Sequence, residues 1–107
     1  MADRIEPSFI DGPHGRLAHV RREGQAPGVV WLGGFKSDMT GTKATYLDAW
    51  AQRTGRAFLR FDYSGHGASD GAFEYGCISD WAADALAAFD SLTDGPQVLV
   101  GSSMGAW

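Results

Sequence analysis

Apolar residues along this chain come in two rhythms. Gly28-Val29-Val30-Trp31-Leu32-Gly33-Gly34, Ala57-Phe58-Leu59-Arg60-Phe61-Asp62 and Gln97-Val98-Leu99-Val100 are short, nearly continuous runs. Runs of that length rich in β-branched and aromatic residues suit strands of a parallel sheet buried on both faces. Two longer segments with three-to-four spacing lie between them. In the first, Thr42 to about Arg53, residues Ala44, Leu47 and Ala51 share a face, Thr42 is the candidate cap and Gly55 ends the helix. In the second, about Ser79 to Leu92, the apolar face is Ile78, Trp81, Ala82, Ala85, Leu86, Phe89 and Leu92. Asp80, Asp84 and Asp90 fall between those positions, Ser79 is the candidate N-cap, and Asp94-Gly95-Pro96 is the stop. Ahead of these, Ser8-Phe9-Ile10 and Leu17-Ala18-His19-Val20 flank Asp11-Gly12-Pro13-His14-Gly15, which reads as an antiparallel hairpin, and Glu23 to Gly28 is a break. A hairpin followed by strand, helix, strand, helix, strand predicts an α/β domain over residues 1–107, its sheet mostly parallel with helices on both faces.

Composition narrows the classes. Fifteen glycines in 107 residues is about twice the ordinary share of ~7%, and they punctuate apolar runs singly or in pairs, as in ordered tight turns. Net charge is −4, which gives no basic footprint for a phosphate backbone and argues against a nucleic-acid partner. No apolar stretch approaches the ~20 residues that span a bilayer. Cys77 is the single cysteine, so no internal disulfide is available and it reads as a small buried apolar residue. The acidic start has neither secretory nor transit character. The expectation from these features is a soluble cytoplasmic protein.

The candidate chemistry is at the end of the last strand. Gly101-Ser102-Ser103-Met104-Gly105 fits G-x-S-x-G and follows a buried strand directly. In that setting the turn is so tight that its flanks must be small, and the serine hydroxyl is pushed out at the C-terminal edge of the sheet. The Met104 backbone N–H then faces an oxyanion at the start of the following helix. A second donor is expected from the loop after the first parallel strand, Gly33-Gly34-Phe35-Lys36-Ser37-Asp38, with Phe35 N–H the first candidate and Gly34 the next.

Leu32-Gly33-Gly34-Phe35, Phe61-Asp62-Tyr63-Ser64-Gly65-His66-Gly67-Ala68-Ser69-Asp70-Gly71 and Val100-Gly101-Ser102-Ser103-Met104-Gly105 resemble the α/β-hydrolase fold in order and spacing. Met39-Thr40-Gly41-Thr42-Lys43-Ala44 and the Asp-Tyr-Ser-Gly wording resemble most closely the α/β-hydrolase domain-containing protein ten type. That group comprises acyl-protein thioesterases and acyl-glucuronide esterases with bacterial relatives. The resemblance implies a serine hydrolase of esters or thioesters, small-molecule or acyl-protein. Ser103 is then the nucleophile and Phe35 and Met104 supply the oxyanion N–H groups, with no metal or organic cofactor. It also implies an acid and a histidine after the serine, whereas the sequence ends at Trp107. The expectation is therefore the N-terminal part of the fold: a hairpin, three parallel strands and two helices ending at the nucleophile elbow. Such a piece should be inactive by itself, with a sheet edge exposed to a missing C-terminal half or to self-association.

Other readings stay open beside this one. His66 sits on a loop at the same sheet edge and is the nearest candidate for a base, although Gly-His-Gly there reads as a structural turn. His14 and His19 read as surface and packing residues, His19 in a peripheral strand. Asp62 is expected to bond the N–H groups of the turn that follows it. Lys43 reads as a solvated helix-start lysine or a contact for an acidic substrate, and Trp31, Trp50 and Trp81 as packing. A dinucleotide-binding oxidoreductase is disfavoured because Gly65-His66-Gly67-Ala68-Ser69-Asp70 breaks the G-x-G-x-x-G/A pattern. A non-catalytic remnant or partner-binding module on the same scaffold is the remaining alternative.

Overall fold

The computed structural model describes residues 7–34 and 36–106. Among them, five strands form one mixed sheet: β1 (Ser8–Gly12), β2 (Gly15–Arg22), β3 (Gln25–Leu32), β4 (Arg56–Phe61) and β5 (Gln97–Gly101), in the order β1-β2-β4-β3-β5. β1 and β2 make the expected hairpin, with Gly12 opposite Gly15 across Pro13-His14. β2 continues antiparallel onto β4, while β4, β3 and β5 run parallel, Val30 standing between Leu59 and Leu99. Helix α1 (Thr42–Thr54) connects β3 to β4, and α2 (Ile78–Leu92) connects β4 to β5.

Alternation along the strands sorts their side chains onto two faces. Val29, Trp31 and Phe58 meet Ala44 and Ala51 of α1, whereas Val30, Leu59 and Phe61 meet Trp81 and Ala88 of α2. The two crossovers thus cover opposite sides of the sheet, because the chain steps from β3 to β4 on one side and then back past β3 to β5.

Several expectations are corrected here. β2 is an interior strand, so His19 is buried, with its imidazole pKa pushed down mainly by desolvation. β3 begins at Gln25, inside the expected break, with a cis Ala26–Pro27 peptide and a register shift before Val29. β5, expected to be buried, is half open: Val98 is 49% and Leu99 57% exposed, since among the described residues only β3 pairs with it. Gly41 stands at the N-cap of α1 and Cys77 at that of α2, neither making a side-chain cap bond, so Thr42 and Ser79 are not caps. Gly55 does end α1 in the left-handed conformation. Cys77 is exposed.

Two helix acids are buried, Asp48 and Asp84, the second of them set between the apolar positions of its helix by the sequence pattern. In α1 the innermost stripe is Ala44, Asp48, Ala51, with Leu47 only partly covered. In α2 it is Trp81, Asp84, Ala88, with Ile78 and Leu86 exposed. Each acid has a buried partner. Asp48 Oδ2 lies 2.9 Å from Arg60 Nη2, and Arg22 Nε pairs with its other oxygen. Asp84 Oδ2 accepts the Ser64 N–H at 2.8 Å. Arg60 points to the α1 face because its strand neighbours Leu59 and Phe61 take the other.

Candidate active site

The C-terminal ends of β3 and β5 are adjacent, and each leads into a tight loop. Beyond β5, Ser102 N–H donates to Leu32 O at 3.1 Å, extending the parallel ladder by one residue. The chain then turns sharply. Ser103 takes φ 56°, a left-handed conformation uncommon for a residue with a Cβ, and Gly105 N–H closes the turn on Ser102 O at 3.0 Å. Residues Ser103–Ala106 form a single 3-10 turn. Gly105 lies so close to the backbone of Leu32 and Gly33 that a Cβ there would overlap the Leu32 carbonyl and come within 2.7 Å of Gly33 O.

From β3, the glycine pair runs beneath this turn. A Cβ on Gly34 would lie 3.3 Å from both Ser102 O and Ser103 Cβ, so the backbone of Gly34 is packed directly on the serine. Ser37 N–H returns to Gly34 O at 3.1 Å, and Lys36 between them is the second left-handed non-glycine residue, at φ 59°. Ser103 is exposed and Met104 half-buried against Leu32, Tyr63 and Trp81. Phe35, the first candidate for the second N–H donor, lies outside the described residues.

The loop after β4 braces the loop after β3. Asp62 does bond the turn that follows, accepting Ala68 N–H at 2.9 Å, but its other oxygen accepts Met39 N–H at 2.7 Å, a bridge the sequence did not announce. Burial pushes the Asp62 carboxyl pKa up, with those two N–H bonds pulling the other way. Met39 O in turn accepts from Arg60 Nη1 at 2.7 Å, joining this brace to Asp48. Tyr63 donates its hydroxyl to Gly33 O at 3.2 Å, and burial, followed by the charge of Asp84, pushes its pKa up to about 12.

None of the three histidines, all in the described residues, is hydrogen-bonded to the Ser103 hydroxyl. His14 pairs with Asp80 at the surface, at 3.2 Å. His66 has both ring nitrogens engaged, with Ser64 O and Lys36 N. Lys43 Nζ donates to Ser102 Oγ at 3.3 Å, beside the Ser103 turn. Trp31 and Trp81 are core residues and Trp50 packs at the core margin, as their spacing predicted.

A left-handed serine at the end of one parallel strand is thus packed on a glycine pair at the end of its neighbour, at the C-terminal edge of an α/β sheet. The chain belongs to the alpha/beta hydrolase family, which it matches over residues 11–107. It is 44% identical over 101 residues to the human protein named palmitoyl-protein thioesterase ABHD10, mitochondrial, covering 94% of this chain and 33% of the relative. It thus spans about a third of the length of the curated relatives it matches. The structure of mouse alpha/beta hydrolase domain-containing protein 10 superposes with TM-score 0.92 at 39% identity, over 96% of this chain and 42% of that one. A putative hydrolase from Agrobacterium vitis S4 gives TM-score 0.89 at 46% identity, over 98% and 43% of the two chains.

These relatives correct one expectation. A cytoplasmic location conflicts with curated relatives named as mitochondrial. Charge and cysteine count describe what the folded domain tolerates, whereas cellular address is read by receptors from short separate signals, so the composition argument had no hold on it.

Proposed function

We propose that residues 1–107 carry the nucleophile half of a serine hydrolase that cleaves esters or thioesters through an acyl-enzyme. Ser103 is the nucleophile, and the backbone N–H groups of Met104 and Phe35 stabilise the oxyanion. The observation that carries this reading is the left-handed Ser103 with Gly34 packed on its Cβ. A conformation that a serine adopts against its preference aims its hydroxyl out of the sheet. A glycine backbone alongside leaves space for an acyl carbonyl between the two loops. In the reaction, a base takes the Ser103 proton, the alkoxide oxygen bonds to the acyl carbon, and the leaving alkoxide or thiolate departs with that proton. Water then attacks the acyl-serine and releases the acid.

The base and its acid partner belong to the rest of the hydrolase domain, since His14 pairs with Asp80, both His66 nitrogens are engaged and His19 is buried within β2. Residues 1–107 alone should therefore give no turnover. The β5 edge, with Val98 and Leu99 exposed, is where that remainder seats. The name of the ABHD10 relatives favours acyl-protein thioesters among the substrates. A fluorophosphonate probe should label the complete protein at Ser103, and Ser103→Ala should abolish labelling. No labelling, or labelling that survives Ser103→Ala, refutes the assignment. The exposed β5 edge also suits a non-catalytic module that binds a partner. A protein that forms a defined complex and resists the probe would favour that second reading.

A further inference from the structure

His66 is a buried titratable side chain that acyl transfer at Ser103 leaves unused. It is 4% exposed, and the rings of Tyr63, Phe73 and Trp81 enclose it edge-on with centroids 5.6, 5.2 and 5.1 Å away. Its two nitrogens have partners of opposite kind. Nδ1 faces Ser64 O at 3.1 Å. A carbonyl only accepts, so the ring proton belongs on Nδ1 and Nε2 keeps its lone pair. Nε2 then accepts the backbone N–H of Lys36 at 3.3 Å. This bond reaches from the loop after β4 to the loop after β3.

Lys36 supplies the second observation. Its φ of 59° is a left-handed conformation that a lysine does not prefer, within the turn closed by Ser37 N–H on Gly34 O. Such a conformation persists when neighbouring structure over-determines it. Gly34, where this turn begins, is the residue packed on Ser103 Cβ.

We propose that His66 is a positioning residue: in its neutral Nδ1–H form it accepts the Lys36 amide and holds the strained turn that keeps Gly34 against Ser103. The effect on turnover rests on the acyl-transfer reading above, whereas the clamp itself does not. Protonation of Nε2 would set N–H against N–H and release the turn. Among the described residues, the Tyr63 ring packs on His66 and the Asp62 carboxyl feels its charge, while the Lys36 ammonium sits 5.0 Å over the neighbouring Phe73 ring. Asp84 lies one step further, on Ser64 N–H.

Long-range proton–nitrogen correlation spectra of the complete protein, labelled at histidine, read the tautomer directly. The expected signature is a protonated Nδ1 and a bare Nε2 on His66 in mildly alkaline buffer. The Lys36 amide should show the shift of a hydrogen-bonded N–H and lose it in His66→Phe. An Nε2–H tautomer, or a Lys36 amide indifferent to the ring, overturns the clamp. His66→Phe fills the aromatic cage without an acceptor, and Ser64 O keeps a donor in Trp81 Nε1 at 3.1 Å. This variant should label with fluorophosphonate about tenfold more slowly, a smaller loss than removing an oxyanion donor outright. His66→Gln, which restores an acceptor, should recover part of the rate. Equal rates for His66→Phe and the parent protein would overturn the positioning role. Should His66→Phe fail to fold, the tautomer spectra of the parent protein decide. A parent protein that shows the tautomer but never labels would sink the acyl-transfer reading and leave the clamp standing.

Discussion

Replacing Asp48 by Asn tests whether the charged cluster under α1 is as dry as it looks. Arg60 is 1% exposed, and its Nη2 lies 2.9 Å from Asp48 Oδ2, while Arg22 Nε pairs with Oδ1. The Asn amide has nearly the shape of the carboxylate but no charge, so the cavity stays filled and only the electrostatic balance changes. Two guanidinium groups would then face a neutral side chain, with the charge of Asp62 left as a weaker favourable influence on Arg60. Burial already pushes the Arg60 pKa down, with Asp48 the main opposing influence, so this partner is the chief stabiliser of the buried charge. Removing one member of a buried pair typically costs about 3–5 kcal/mol, because the other charge is left uncompensated. That is a large part of the roughly 5–15 kcal/mol that stabilises a domain. Urea unfolding of the complete protein, followed by tryptophan fluorescence, should show a matching fall in midpoint at unchanged slope. Asp90→Asn, an exposed acid on α2, should stay within about 0.5 kcal/mol of the parent. Asp48→Leu combined with Arg60→Met should recover most of the loss, since an apolar pair of similar volume has no charge to desolvate. If Asp48→Asn costs less than about 1 kcal/mol, water reaches Arg60 and the reasoning fails.

Two further outcomes follow from the same geometry. Gly105→Ala would drive a Cβ into the Leu32 carbonyl, which the β3–β5 ladder holds in place. Expect about 1–3 kcal/mol of destabilisation by overpacking together with loss of Ser103 labelling, checked by thermal unfolding beside the probe assay; full labelling would place the elbow elsewhere. Tyr63 should ionise late, near its raised pKa of about 12. A folded pKa above the ordinary 10.0 of a tyrosine means that the folded state holds this proton longer. The stability it contributes is therefore complete below 10.0 and lost as pH rises towards about 12. Phenolate absorbance during an alkaline titration should show this late step disappear in Tyr63→Phe.

The apolar runs, the helical spacing and the glycine stops were enough to place the five strands and two α-helices of the described residues within a few positions, because periodicity and turn chemistry are local properties. The G-x-S-x-G turn was legible for the same reason: its cramped geometry is written into five consecutive residues. Helix faces were legible only in part. Asp84 was set between the apolar positions of α2 and Asp48 was not singled out, although Asp48 lies at i+4 and i−3 from Ala44 and Ala51, which is itself a buried stripe. Counting spacing before chemistry would have found it. Arg60 carried a similar clue, a cation in the middle of an apolar strand.

What the chain alone determined, then, is its list of elements, its hairpin and the serine at the end of β5. Only the tertiary structure decided that β2 is interior, that β5 lies half open, and that Gly34 rests on Ser103. It alone also joined Met39 to Asp62, Lys36 to His66 and Arg60 to Asp48. The reason is range. A residue's spacing records which way it faces, but the partner that gives a buried charge or a strained turn its stability comes from a different strand or loop. That pairing exists only after the sheet has set its strand order.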